Sequence, residues 1–248
     1  MKLSLLLYSL LVFAHVSHAN PKLSVLTEDW YPFNYQYGDQ VIGSSTNYVK
    51  QLLEQAQLDY EIEVREWSEA YAILNSEPNT LLYSTFKTPS RAPQFHWICP
   101  INKPVYSSIY ALSSRLDIKA QNFEDLKAYS LGITQETYPY DLFKSLGFTE
   151  GKHLQVTKNN SSNLGMLLRG RVDMIAESDV AIVEMLKQHH ISASQVKKIL
   201  SMDDPDQPEI CLAINKSTNS DIVEKLQQAH KYLLKQRPIP TKTTTLSL

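Results

Sequence analysis

The 248-residue sequence predicts an α/β protein built as two lobes, each a mostly parallel sheet flanked by helices, with two hinge crossings between them. Three observations predict it. Strand-like and helical runs alternate almost throughout, the pattern of sheets whose parallel strands are joined through helices. Proline-bearing breaks at 100–104 and 203–208 interrupt that alternation twice, as two crossings between lobes would. A long amphipathic run at 218–237 is then stopped by Pro238 and Pro240, so the returning chain ends in a helix.

In chain order, Met1 and Lys2 precede an apolar run from Leu3 to Val16, and Ser17-His-Ala19 puts small residues before Asn20. This reads as a secretory signal peptide over 1–19, too short for the roughly 20 residues a membrane span needs. Strands are expected at 22–27, 60–66, 81–86, 107–112, 130–134, 154–157, 172–176 and 210–215, from their apolar, β-branched and aromatic content. Helices carry Val49, Leu52, Leu53 and Ala56 on one face, and Ile182, Val183 and Leu186 on another. Asn122 is a cap with acids in the following turn. With both breaks as crossings, lobe 1 is 22–103 plus 209–248, and lobe 2, inserted, is 104–208. A ligand would lie between them, facing strand ends and helix N-termini.

Composition excludes several classes. Lys and Arg number 24 against 26 acids, scattered, with a net charge of −2 and no basic stripe, so no nucleic-acid partner is expected. Cys99 and Cys211 both fall in the exported part, where an oxidising compartment permits a disulfide; a bridge and two buried thiols are equally open. Neither has metal or redox spacing. His189-His190 reads as a solvated helix end, and no metal or cofactor is expected.

The segment from Leu81 to Arg91 runs a buried strand into a turn holding Thr88 and Pro89. Arg91 then offers a planar five-donor fork that matches a carboxylate bidentately.

These motifs, in order, resemble the bacterial extracellular solute-binding proteins of family 3, the amino-acid-type receptors of ABC transporters. The resemblance covers nearly the whole exported chain. It rests on Thr27-Glu-Asp-Trp-Tyr-Pro-Phe33, the Trp67 to Leu74 segment, the Leu81 to Pro100 segment, Phe123-Glu-Asp-Leu126, Leu131-Gly-Ile-Thr-Gln-Glu-Thr137 and Leu168-Arg-Gly-Arg-Val-Asp173. It implies the two-lobed periplasmic-binding-protein type II fold, a periplasmic location, a monomer, a small-molecule ligand such as an amino acid or other small carboxylate, and an inner-membrane ABC permease as partner. By position it implies that Arg91 binds the ligand carboxylate, Trp30 stacks on the ligand, Ser84 and Thr85 add donors, and Thr137 and Ser161 face the cleft at helix starts. Where relatives often present an aspartate to the ligand ammonium this chain has Ser178, with acids at Glu177 and Asp179; a one-place shift restores Asp179. Glu136 and Lys87 also depart from the pattern. The expected function is capture of a small carboxylate-bearing solute for an importer, without catalysis. The alternatives are an exported enzyme of the same fold, like cyclohexadienyl dehydratase, or a free sensor module.

Overall fold

The computed structural model describes residues 22–202 and 208–240. The expected signal peptide, most of the second crossing and the polar tail from Thr241 lie outside the described residues.

Its strands are β1 (Leu23–Thr27), β2 (Tyr35–Tyr37), β3 (Gln40–Ile42), β4 (Tyr60–Val64), β5 (Thr80–Phe86), β6 (Phe95–Ile98), β7 (Ser107–Leu112), β8 (Leu131–Thr134), β9 (Leu154–Thr157), β10 (Met174–Ser178), β11 (Val196–Ser201) and β12 (Ile210–Asn215). The helices are α1 (Ser44–Gln55), α2 (Trp67–Ser76), α3 (Tyr138–Ser145), α4 (Asn160–Leu168), α5 (Asp179–Gln188) and α6 (Ser220–Gln236). The turn capped by Asn122 is a short 3-10 helix, whose Asp125 N–H donates to the Asn122 side chain at 3.1 Å.

Two five-stranded sheets result. The first has the order β4-β1-β5-β12-β6, the second β11-β7-β10-β8-β9. In each, four strands share one direction and one is reversed, β12 in the first and β7 in the second. The central strands carry apolar residues on both faces because helices cover both. Leu81, Leu82 and Tyr83 on β5 and Leu212, Ala213 and Ile214 on β12 are wholly buried. One side packs on Val49, Leu52 and Leu53 of α1 and Leu226 of α6, the other on Trp67, Ala70 and Leu74 of α2. Each such aliphatic side chain contributes about 1.5–3 kcal/mol on burial.

The second sheet is held the same way, with Phe143 of α3 on one face and Leu164, Leu167, Ile182 and Leu186 of α4 and α5 on the other. The Gly-Arg-Val-Asp segment is structural. Its Asp173 accepts from the Ser130 N–H and hydroxyl, both at 2.7 Å, and pairs with Arg115. That pins the start of β8 to the start of β10.

Cys99 and Cys211 form a disulfide with Cα atoms 4.6 Å apart, 112 positions apart in sequence. It ties the chain just after β6, where it leaves the first sheet, to the strand that re-enters it. Among the described residues no helix is long and apolar enough to cross a membrane.

Candidate ligand cleft

The cleft is built where β1, β5, β8 and β10 end. Beyond β1 the chain turns tightly: the Trp30 N–H donates to the Asn34 carbonyl at 2.6 Å, and the Asn34 side chain donates to the Glu28 carbonyl at 2.8 Å. Gly43 lets the next segment close against this turn, since a Cβ there would stand 2.3 Å from the Phe33 oxygen. Trp30, 7% exposed and with its ring tilted against that of Phe33 at 4.6 Å, is thereby fixed on the first-lobe wall.

On β5, Ser84 has a φ of 61° and its hydroxyl donates to the Asn34 side chain. Across the cleft, Glu136 has a φ of 55°. Both are left-handed non-glycine residues, strain of about 1–3 kcal/mol each that surrounding contacts must hold in place.

Arg91 follows the turn after β5, its N–H bonded to the Thr88 carbonyl at 3.1 Å. The residue is 3% exposed, with its guanidinium over the rings of Tyr71 at 5.3 Å and Trp67 at 5.8 Å. Nη2 donates to the Glu136 carbonyl at 2.6 Å and to Asp141 Oδ2 at 2.7 Å. Nη1 is buried with no protein partner. Arg91 therefore already holds a carboxylate from the second lobe, and keeps one nitrogen for something else.

The second lobe supplies the opposite wall. Thr137 caps α3, accepting from the Tyr140 N–H at 3.4 Å and donating to the Thr134 carbonyl at 2.7 Å. Thr134 in turn donates to Asn160 at 2.7 Å. The lobes touch: the Trp67 indole N–H donates to the Glu136 carbonyl at 2.7 Å, Asn159 donates to Glu66 at 3.0 Å, and the Phe86 and Tyr138 rings lie 5.2 Å apart.

Between these walls lies a cavity of about 50 Å³, lined among others by Glu28, Trp30, Trp67, Ser84, Arg91, Thr137, Glu177 and Ser178. Glu28, Trp30, Trp67 and Asn160 also border an outer chamber of about 360 Å³ that reaches Asp29, Glu66 and Ser161. Burial, with the fields of Glu177 and Asp29, pushes the Glu28 carboxyl up to about 8. Burial likewise pushes Glu177 up to about 7, against the pull of the Ser178 N–H that donates to it at 2.7 Å.

Of the residues singled out in the sequence, Trp30, Ser84, Arg91, Thr137 and Ser178 line this cavity and Ser161 lines the outer chamber. Ser178 spends its hydroxyl on capping α5, accepting from the Ala181 N–H at 2.9 Å. Thr85 and Asp179 lie outside. The Thr85 side chain is wholly buried on the other face of β5 and donates to the Leu82 carbonyl at 3.2 Å. Asp179 accepts from the Tyr110 hydroxyl at 2.8 Å and pairs with Lys198. Sequence reasoning passed over Glu28 as a cleft residue, although it stood inside a quoted motif. It also passed over Trp67 and Tyr71 as cleft residues, although both stand in the Trp67 to Leu74 segment that carried part of the resemblance.

No family model and no curated protein matches the chain. Solved structures do. A histidine kinase sensor domain with similarity to periplasmic binding proteins superposes with a TM-score of 0.77 at 17% identity, over 88% of this chain and 92% of that one. An ancestral arginine-binding protein bound to arginine gives 0.75 at 20% identity, over 89% and 96%. The arginine-, lysine-, histidine-binding protein ArtJ from Geobacillus stearothermophilus gives 0.72 at 20%, over 87% and 90%.

The chain has the periplasmic-binding-protein fold.

Within this binding-protein fold the cleft offers a buried guanidinium N–H, two carboxyl groups and the aromatic rings of Trp30, Trp67, Phe86 and Tyr138. That set can grip a small solute carrying both signs of charge by hydrogen bonds and stack against its apolar part.

Proposed function

We propose that the chain is an exported solute-binding protein that captures a small carboxylate-bearing solute, an amino acid or a related compound, and hands it to an inner-membrane ABC permease. The observation that carries this reading is the buried, unpartnered Nη1 of Arg91, a residue that lines the same cavity as Glu28 and Glu177. A carboxylate supplies the acceptor that nitrogen lacks, and an amine answers the two acids. The neighbours' arginine, lysine and histidine ligands support it, since each carries both groups. The division into lobe 1 at 22–103 plus 209–248 and lobe 2 at 104–208, closing about two hinges as a monomer in the periplasm, belongs to the same proposal.

The likeness to a kinase sensor domain favours one second reading, a periplasmic sensor that passes its closed form to a receptor rather than a permease. Ligand capture is common to both. Loss of solute uptake in a deletion strain separates them.

The test is a thermal-shift panel of the common amino acids and small carboxylates. A ligand at 100 times its Kd adds about 2.7 kcal/mol of stability. A panel without a single shift removes the proposal, and turnover of a hit detected by mass spectrometry replaces it with an enzyme.

A further inference from the structure

Several donors that could hold a ligand carboxylate are spent inside the protein. The Ser84 hydroxyl goes to Asn34, the Thr137 hydroxyl to the Thr134 carbonyl, and the Trp67 indole N–H to the Glu136 carbonyl. Pro139 removes an N–H from the first turn of α3, and Asp141 in the same turn already answers the positive end of that helix. The second-lobe wall, where a helix start would meet an anion, keeps little to offer one.

Arg91 is committed in the same way. The two N–H groups of Nη2 go to the Glu136 carbonyl at 2.6 Å and to Asp141 Oδ2 at 2.7 Å. A carboxylate grips a guanidinium at two points either through Nη1 and Nη2 at the end of the fork or through Nε and Nη2 along its side. Both grips use Nη2. What remains is the buried Nη1, which has no protein partner and meets an acceptor through one nitrogen. The charge is spent as well. Asp141 pairs with the guanidinium, and among the described residues no other arginine and no lysine lines the cavity.

We propose that Asp141 sets the ligand class of this site: with Arg91 paired and reduced to Nη1, the cleft takes a neutral acyl oxygen as readily as a free carboxylate, so an amino acid whose carboxyl is blocked as an amide is bound as well as the amino acid itself. The inference rests on the solute-binding reading and deepens it, by stating what the solute must present to Arg91: one oxygen acceptor, not a negative charge. A charge-assisted hydrogen bond is about twice as strong as a neutral one, and Asp141 already takes that advantage for the protein. Asp141 acts through Arg91 and is therefore a positioning residue.

Isothermal titration of the exported chain with the common amino acids and their α-carboxamides tests this. For the amino acid that binds most tightly, the amide should bind within about threefold of the acid. That comparison needs no variant. Asp141→Asn, which keeps an acceptor for Nη2 but frees the guanidinium charge, should raise the preference for acid over amide to about tenfold or more, while Asp141→Glu, which keeps the charge, should stay near the wild-type ratio. The ratio reads selectivity, so a general loosening of the fold, which weakens both ligands, does not move it. A wild-type preference for the acid above about 30-fold overturns the inference and leaves the solute-binding reading standing. An unchanged ratio in a folded Asp141→Asn protein overturns the role of Asp141. No binding by any acid or amide contradicts the solute-binding reading itself, and the inference falls with it.

Discussion

Arg91 Nη2 donates to Asp141 Oδ2 at 2.7 Å across the cleft, from a loop of the first lobe to the first turn of α3 in the second. The arginine expected to hold a ligand carboxylate thus holds one of the protein's own, for which a ligand carboxylate must compete. Its burial makes the pair consequential, because the guanidinium has little water to fall back on.

Removing that competitor should strengthen capture. Asp141→Asn keeps an acceptor for Nη2 but not the charge, so amino acids should bind about tenfold more tightly, about 1.4 kcal/mol. Agmatine, which is arginine without its carboxylate, should be unaffected. Isothermal titration of both compounds checks the pair of outcomes.

Stability should fall as pH rises toward 8. Glu177 is raised from its ordinary 4.5 to about 7, and Glu28 to about 8, so between these values the folded chain binds more protons than the unfolded one. Unfolding free energy then decreases with pH across that window and levels off above it. For Glu177 the loss is on the order of 3 kcal/mol, at about 1.4 kcal/mol per unit. Urea denaturation of the ligand-free protein from about pH 5 to 9 should show this decline, and Glu177→Gln should flatten much of it.

The Cys99–Cys211 bridge closes a loop of 112 positions. Cys99→Ser with Cys211→Ser should cost about 4–5 kcal/mol in the chain-entropy account. Urea denaturation reads the loss, and a thiol assay on the unfolded, unreduced wild type should find none.

Asp179→Asn should leave ligand affinity within about twofold yet cost about 1–2 kcal/mol of stability, because it unties Tyr110 and Lys198 rather than a ligand. Titration of the best ligand together with urea denaturation separates the two effects.

Much of the fold was legible because buried strands write themselves as apolar runs. The eight expected strands are β1, β4, β5, β7, β8, β9, β10 and β12. β11 escaped because an edge strand reading Val-Lys-Lys-Ile-Leu-Ser, none of it fully buried, carries two adjacent lysines and so resembles surface. The β2–β3 hairpin was signalled only by the Gly38-Asp39 turn. In the cleft, motif position located Trp30, Ser84, Arg91 and Thr137, since the turn and cap chemistry there is local. It failed at β10, read as 172–176 but running Met174–Ser178. That displacement decides that Glu177 faces the cleft while Asp179 begins α5. Nor could local sequence reveal that Asp141, 50 positions on, would meet Arg91.

The central claim rests on Arg91 as the residue that fixes the ligand's carboxylate, so the most direct measurement is the affinity of the strongest ligand from the amino-acid panel for Arg91→Ala against wild type. The expected result is a loss of at least about 100-fold, about 2.7 kcal/mol, with the fold intact by circular dichroism. Unchanged affinity in a folded Arg91→Ala protein would contradict the account.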